Sequence, residues 1–431
     1  MSLNIKFIEG EIIDQYLYDE NTTRPWIIGF SGGKDSTMLL QLVWTAISKI
    51  DGILRQREIH IVCNDTLVEN PKIVKNINST LSKIQKAAVE QDLPIFVHQT
   101  TPRLEDTFWV KLLGKGYPAP NNTFRWCTDR LKINPTTQFI LNKVSEKGEA
   151  IILLGTRSDE SSTRAKSIKK HEIKGSRLRK HVLPNAYVYA PIKDITIDEL
   201  WQYLLQVNPP WGGTNRDLIT LYRNATGGDC PLVIDVTTPS CGNSRFGCWV
   251  CTVVKKDKSM EALIDNGDEW MEPLMEFREL LVEHRDDPTW RDTKRRNGLD
   301  GIGPYLPEKR AEMLEKLLLA QKAVQETQPE VQLISNQEIV AIQLAWYRDY
   351  YFKRKASDIY NSIYKTQIDM SKKVAKMQQE LDILKEVCNG DENQVQLIQE
   401  LLTLQKSKSL MLKKRGLQSD IERRIEKELN F

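Results

Sequence analysis

The residues Ser31-Gly-Gly-Lys-Asp-Ser-Thr37 stand directly after the apolar run Trp26-Ile-Ile-Gly-Phe30 and directly before a helical pattern carrying Leu39, Leu40 and Val43. A strand, a glycine loop and a helix start in this order make an anion site. Paired glycines let the backbone approach a phosphate, and the free N–H groups of the first helical turn point at it. Ser31, Ser36 and Thr37 add hydroxyls, Lys34 adds positive charge, and Gly32 and Gly33 supply the close approach. The spacing excludes two commoner phosphate binders. A Walker A loop would need Gly at position 28 and Ser or Thr at 35, where this chain has Ile28 and Asp35. The dinucleotide fingerprint G-x-G-x-x-G is not present either.

A second group of residues suits metal chemistry. Cys230, Cys241, Cys248 and Cys251 form the pattern C-x10-C-x6-C-x2-C. The last two share one turn, and four thiolates within about twenty residues suit tetrahedral zinc or a [4Fe–4S] cluster; the spacing leaves both open. Cys127 stands apart in Phe124-Arg-Trp-Cys-Thr-Asp-Arg-Leu-Lys132. Arg125, Arg130 and Lys132 are expected to lower its pKa, making it either a nucleophile and sulfur carrier or a buried structural cysteine. Cys63 ends an apolar run and reads as core, and His98 reads as structural. Between Arg164 and Lys180 the chain places Lys166, Lys169, Lys170, Lys174, Arg177 and Arg179, opposed only by Glu172. This run is either a solvated loop or a surface for a polyanion. Arg291, Lys294, Arg295 and Arg296 make a second basic cluster.

The elements that must hold these residues are readable from periodicity. Candidate strands at 26–30, 58–64, 94–98, 150–154 and 187–190 alternate with helical stretches at 36–50, 71–91 and 131–146. That alternation predicts an α/β fold, a doubly wound parallel sheet over residues 1–210. Thr196 and Glu199 make a capping box that opens a helix. Residues 211–306 are rich in glycine and hold the four clustered cysteines, so a metal or cluster is expected to organise them. Residues 307–431 read as a helical domain. Met370, Val374, Met377, Leu381 and Leu384 form a coiled-coil seam, Asn389-Gly390 interrupts it, and Val395, Ile398 and Leu402 resume it. With 431 residues, 40% hydrophobic and 28% charged, the chain has material for a large core and is not a disordered protein. The net charge of +3 gives no global excess for nucleic acid, so any such contact must be local. No run of eighteen apolar residues and no apolar leader follows Met1, so no membrane partner is expected and the location expected is cytoplasmic.

The loop S-G-G-K-D-S resembles the PP-loop of ATP pyrophosphatases, which cleave ATP between the α and β phosphates. Three further stretches are similar to the branch containing phosphoadenylyl-sulfate reductases: Asp65-Thr-Leu-Val-Glu69, Gly155-Thr-Arg-Ser-Asp-Glu-Ser161 with Arg164, and Pro191-Ile-Lys-Asp-Ile-Thr-Ile-Asp-Glu-Leu-Trp201. The resemblance implies that Asp65, Gly155, Arg157, Glu160 and Arg164 line the nucleotide, with the two arginines taking a phosphate. Those reductases carry a reactive cysteine near the C-terminus beside glutamate, glycine and histidine, and nothing here matches, since Cys388 lies in the coiled-coil region. Phe246-Gly-Cys-Trp-Val-Cys-Thr-Val-Val-Lys-Lys-Asp-Lys-Ser259, taken with the loop and the helical tail, resembles the DndC family of bacterial DNA phosphorothioation. That resemblance implies ATP, Mg²⁺ and a [4Fe–4S] cluster as cofactors. It implies the DNA backbone, a cysteine desulfurase and other phosphorothioation proteins as partners. Lys34, Asp35, Cys127 and Arg157 would then be catalytic, with Asp35 near Mg²⁺. The rivals are a reductase-like enzyme for a small activated sulfate and a non-catalytic nucleotide-binding assembly factor.

Overall fold

The computed structural model describes residues 4–173, 175–225, 247–295, 299–349, 353–368 and 375–409. Contacts divide the chain into two units, residues 1–108 with 120–282 and residues 109–119 with 283–431. The division departs from the expected boundaries at 210 and 306. Described residues of the cysteine-rich region group with the sheet, and a short segment from the first half joins the helices.

The first unit is built on six strands: β1 (Trp26–Gly29), β2 (Ile59–Asn64), β3 (Ile95–Thr100), β4 (Ala150–Leu153), β5 (Leu178–Lys180) and β6 (Ala186–Tyr189). Their order is β3-β2-β1-β4-β6-β5, parallel throughout except that β5 runs antiparallel beside β6. The five expected strands are all present, and β5 was not anticipated. At three residues of mixed polarity, β5 carries no alternating pattern to read. The helices are α1 (Ile5–Leu17), α2 (Lys34–Ser48), α3 (Pro71–Glu90), α4 (Asn134–Lys147), α5 (Ser162–His171), α6 (Ile197–Gln206), α7 (Arg216–Ala225), α8 (Lys258–Asp265) and α9 (Glu272–Glu283).

Strand periodicity decides which residue faces which layer. Trp26, Ile28, Ile59, Ile61, Ile151 and Leu153 point to one face and pack with Ile12 and Tyr16 of α1, with α2, with Leu81 and Ile84 of α3, and with α6. Ile27, Val62, Ala150 and Ile152 point to the other face, where Ile140 of α4 covers them. Both faces are therefore dry, as a parallel sheet requires. Thr196 and Glu199 form the anticipated capping box at the start of α6.

The face under α4 also holds a pair of imidazoles, His60 buried and His98 half-buried. His60 Nδ1 lies 3.0 Å from His98 Nε2, and His60 Nε2 lies 3.2 Å from Glu58. Burial, with Lys143 and His98 nearby, pushes the His60 pKa down to about 4 against the faint pull of Glu58. The folded protein thus keeps His60 neutral where the unfolded chain takes a proton. Stability is full above the unfolded value near 6.5 and falls as pH drops toward 4. Allowing for screening, the loss is on the order of 2 kcal/mol. Urea titrations at pH 7.5, 6 and 5 check this: His60→Gln is expected to flatten the slope relative to wild type, and parallel slopes would refute the assignment.

The second unit holds α10 (Pro307–Gln325), α11 (Asn336–Arg348) and α12 (Ala356–Tyr364), then a hairpin of α13 (Ala375–Val387) and α14 (Glu392–Ser409). Residues 109–119 belong here because the indole of Trp109 donates to the Leu333 carbonyl at 2.7 Å and that of Trp346 to the Leu113 carbonyl at 2.8 Å. The hairpin turns at Asn389-Gly390 and buries Leu381, Cys388 and Val395 with Leu384 and Ile398. Met370 and Val374 of the expected seam lie outside the described residues. Among the described residues, no helix is long and apolar enough to cross a membrane.

Candidate functional site

The sheet order reverses between β1 and β4, since β1 connects leftward through α2 to β2 while β4 sits on its other side. In open parallel sheets the crevice at the carboxyl end of such a reversal is where ligands bind. Two sequence stretches meet there: the loop after β1, Ser31–Thr37, and the loop after β4, Gly155–Glu160.

Gly33 caps α2 without a side-chain hydrogen bond, so the N–H groups of the first turn face the loop. Gly32 takes φ +71°, a left-handed conformation that a side chain would strain. The Ser36 hydroxyl donates to the Gly33 carbonyl at 3.0 Å and accepts from the Ser31 N–H at 3.3 Å, fixing the loop from inside. Thr37 continues it, with its N–H on the Gly33 carbonyl at 3.0 Å. Gly155 is required for packing: a Cβ there would stand 2.9 Å from the Asp35 carbonyl oxygen.

Arg157 is fully buried. Its Nε donates to Asp35 at 2.7 Å and its Nη1 to the Ile195 carbonyl at 3.0 Å, with Asp159 3.5 Å away. Among the described residues, its Nη2 has no hydrogen-bond partner, and neither does the buried hydroxyl of the adjacent Thr156. Arg157 therefore anchors the phosphate loop through Asp35, rather than standing out in the crevice to grip a phosphate with both arms as expected. Glu160 accepts from the Arg157 N–H at 2.7 Å and so shapes this turn. The other oxygen of Asp35 lies 3.2 Å from the Lys34 ammonium. Both carboxylate oxygens are thus engaged by cations. Arg164 lies in α5.

Tyr222 of α7 was not picked out by the sequence. Its hydroxyl accepts from the Lys34 N–H at 3.4 Å, and the Lys34 ammonium lies 5.2 Å from the centre of its ring. A phenol oxygen thus sits against the mouth of the anion cradle. No local pattern announces it, because the contact spans 188 residues.

One strand over, at the end of β2, a second group assembles. Asp65 accepts from the Leu67 N–H at 2.8 Å, and burial raises its pKa. Thr66 donates to Glu69 at 3.0 Å, Lys132 lies 3.3 Å from the same Glu69 oxygen, and the Cys248 sulfur lies 3.7 Å from it. Glu69 and Cys248 are bridged through their backbones, and the Trp249 N–H donates to the Val68 carbonyl at 3.0 Å. The C-x-x-C turn closes through the Cys251 N–H on the Cys248 carbonyl at 3.0 Å. Arg278 of α9, fully buried, donates to the carbonyl of Cys251 at 3.0 Å and to those of Val254 and Lys255 beyond it. This second unanticipated residue ties down the segment after the cysteines.

Cys127 joins this group electrostatically. Its pKa is raised, by burial and then by Cys251, which overturns the expected lowering. Arg125 and Arg130 lie exposed, so desolvation prevails over their charge. Burial and Glu69 push the Cys248 thiol up to about 12. Burial works against the charge on Lys132, but Cys248, Glu69 and Cys127 outweigh it and hold its proton. Cys230 and Cys241 lie outside the described residues. Cys63 is buried core, as anticipated, with its thiol pushed up to about 12 by burial. Among the described residues, no three His, Cys, Asp or Glu side chains converge on a single-ion sphere.

The basic run is less free than its sequence suggests. Arg177 is bidentate to Glu11 at 2.6 and 2.7 Å and reaches Asp14 at 3.4 Å, and Lys193 pairs with Glu172. Lys166, Lys169, Lys170 and Lys180 remain exposed, and Lys174 lies outside the described residues.

The model of the family described as phosphoadenosine phosphosulfate reductase domain matches residues 25–254. An uncharacterized protein of Methanocaldococcus jannaschii is 25% identical over 268 residues, which are 60% of this chain and 43% of that protein. The chain thus spans less than half the length of that curated relative. A phosphoadenylyl-sulfate reductase of Candida auris, solved with phosphate, is 12% identical with TM-score 0.27 over 47% of this chain and 87% of its own. A U34-tRNA thiolase of Methanococcus maripaludis, solved with its [4Fe–4S] cluster, is 14% identical with TM-score 0.29 over 65% of this chain and 80% of its own.

Proposed function

This chain belongs to the phosphoadenosine phosphosulfate reductase domain family, whose model spans more than half of it, and from that premise we propose an ATP-dependent sulfurtransferase that installs phosphorothioates in the DNA backbone. The observation that carries the reading is the sharing of one sheet edge by a phosphate cradle and a thiol group. Ser31–Thr37 follows β1, and Glu69, held to Cys248, follows the neighbouring β2. The resemblance to the DndC family supplies the acceptor.

In this reading a non-bridging oxygen of a DNA phosphate attacks the α-phosphorus of ATP. A P–O bond forms and pyrophosphate leaves into the cradle, where the N–H groups of the first turn of α2 and the Lys34 ammonium receive its charge. Arg157 keeps Asp35, and with it the loop, in place. A cysteine desulfurase delivers sulfane sulfur, a thiol reductant brings it to the sulfide level, and the sulfide attacks the acceptor phosphorus. The P–S bond forms as AMP departs with the displaced oxygen, so the displacement itself moves no electrons. Other phosphorothioation proteins would choose the site.

The donor chemistry fits a [4Fe–4S] cluster: Cys248 and Cys251 sit on one turn, Cys127 lies within electrostatic reach of Cys251, and Lys132 balances thiolate charge. Cys248 and Cys251 would hold it, completed by Cys127 or by Cys230 and Cys241. When bound, the cluster would supply iron for holding or activating sulfur.

The test supplies ATP, duplex DNA, cysteine, a cysteine desulfurase and a reductant, then measures adenine nucleotides and nuclease-resistant linkages by mass spectrometry. AMP, pyrophosphate and phosphorothioate dinucleotides are expected. ADP as the product sinks the assignment, and turnover of adenylyl sulfate to sulfite without DNA would favour the small-molecule reductase.

A further inference from the structure

The sheet edge carries a third feature beyond the loop after β1 and the thiol group after β2. At the carboxyl end of β3 a cavity of about 460 Å³ opens between the loop that follows the strand and the near face of α4. Its volume is in the range of ligand sites. The α4 wall presents Asn134, Gln138 and Asn142, spaced four apart and therefore stacked on one helical face. Gln138 donates to Asn142 at 2.9 Å, which aligns the two amides. Thr101 and Arg103 stand on the opposite wall, and Arg130 enters from the helical stretch Thr128–Ile133 that leads into α4.

The chemistry of these walls is selective. Three amides, three threonine hydroxyls and two guanidiniums, set beside Pro135 and Phe139, give a lining rich in hydrogen-bonding groups with net positive charge, relieved by Asp106. Arg130, itself exposed, lies 3.8 Å from the half-buried Asp106, a loose pair. Among the described residues, Arg103 makes no side-chain hydrogen bond or ion pair. Guanidinium, amide and hydroxyl groups together are the set that holds sugar and phosphate oxygens.

The position narrows the ligand further. β3 is the edge strand, so nothing in the sheet closes the groove on its outer side, and an extended polymer can lie along it. Neighbouring strands are about 4.8 Å apart, so the phosphate loop, the Glu69–Cys248 group and this groove follow one another in short steps along one edge. Arg130 is three residues beyond Cys127. A strand seated in the groove would therefore lead toward the thiols and then the nucleotide loop. The run from Arg164 to Lys180 has a weaker claim, because Arg177 is already satisfied by Glu11 and Asp14.

We propose that this groove binds the sugar–phosphate backbone of the acceptor nucleic acid, with Arg103 and Arg130 on phosphates and Gln138 and Asn142 on neighbouring oxygens. The inference rests on the sulfur-transfer reading given above. The test is fluorescence anisotropy of a fluorescein-labelled 20-base-pair DNA duplex with the full-length protein at several salt concentrations. Three double variants are compared: Arg103→Ala with Arg130→Ala, Arg103→Lys with Arg130→Lys, and Gln138→Ala with Asn142→Ala. Thermal melting shows that each is folded. The alanine pair at the arginines is expected to weaken binding by ten- to a hundredfold and to reduce the salt slope by about two. The lysine pair is expected to restore the slope, because the charge returns, and only part of the affinity, because the fork does not. The amide pair is expected to weaken binding by about three- to tenfold with the slope unchanged, since no charge is lost. If wild type binds the duplex and the three variants match it, the groove assignment falls while the acceptor reading stands. If wild type does not bind the duplex at all, the nucleic-acid reading falls and this proposal with it.

Discussion

Replacing Asp35 with Ala is expected to lower pyrophosphate formation by about a thousandfold, the scale of losing one preorganised group at a charge-developing centre. The same change is expected to cost stability, for a reason the sequence alone conceals. Arg157 is fully buried, and Asp35 is the carboxylate on its Nε. Removing that carboxylate leaves the buried guanidinium with only the longer contact to Asp159 at 3.5 Å as counter-charge. Breaking a wholly buried pair costs about 3–5 kcal/mol; with Asp35 partly open to solvent, about 2–3 kcal/mol is expected here. The two losses can be separated. Asp35→Ala combined with Arg157→Met removes the stranded charge and should regain part of the melting temperature while restoring no pyrophosphate release. Asp35→Asn keeps a hydrogen bond to Nε without charge and should lie between. An Asp35→Ala protein with normal stability and normal ATP turnover would remove both the anchor and the loop from the mechanism.

That pair shows where sequence reading stops. The loop Ser31–Thr37, the strand before it and the helix after it are contiguous, so local chemistry was enough to place them. Gly155 and Arg157 were legible as a ligand stretch. Their destination was not, because it depends on β4 lying beside β1, and strand order is a property of the whole sheet. Tyr222 and Arg278 were missed for the same reason: each acts on backbone far away in sequence, Tyr222 on Lys34 and Arg278 on the Cys251–Lys255 segment. The error at Cys127 is of another kind. In the sequence positive residues flank the thiol, yet neighbouring side chains on a helical turn diverge. Arg125 and Arg130 went to solvent while the thiol turned inward toward Cys251. Residues 109–119 look like an interruption of the α/β pattern, yet the indoles of Trp109 and Trp346 and the guanidinium of Arg310 tie them to residues about two hundred positions later.

Anaerobically purified protein is expected to be brown and to lose its visible absorption and iron entirely when Cys248 or Cys251 is replaced with Ser. These two thiols share a turn that Arg278 clamps from behind, so the pair is preset for a metal cluster rather than free to move apart. Ser cannot substitute, because its hydroxyl does not ionise at neutral pH and is a hard ligand for iron. Cys63→Ser and Cys388→Ser should leave the chromophore intact. Cys63 faces the core under α2, and Cys388 is packed between Leu381 and Val395 in the helical hairpin. The decisive variant is Cys127→Ser. If Cys127 is a ligand with Cys248 and Cys251, its loss should bleach the protein as fully as theirs, and Cys230→Ser and Cys241→Ser should not. If the four clustered cysteines are the ligands, those two should bleach it and Cys127→Ser should keep its iron, leaving Cys127 free to carry sulfur. Stoichiometric zinc with no iron in the anaerobic wild type would overturn both and leave the cysteines a structural role.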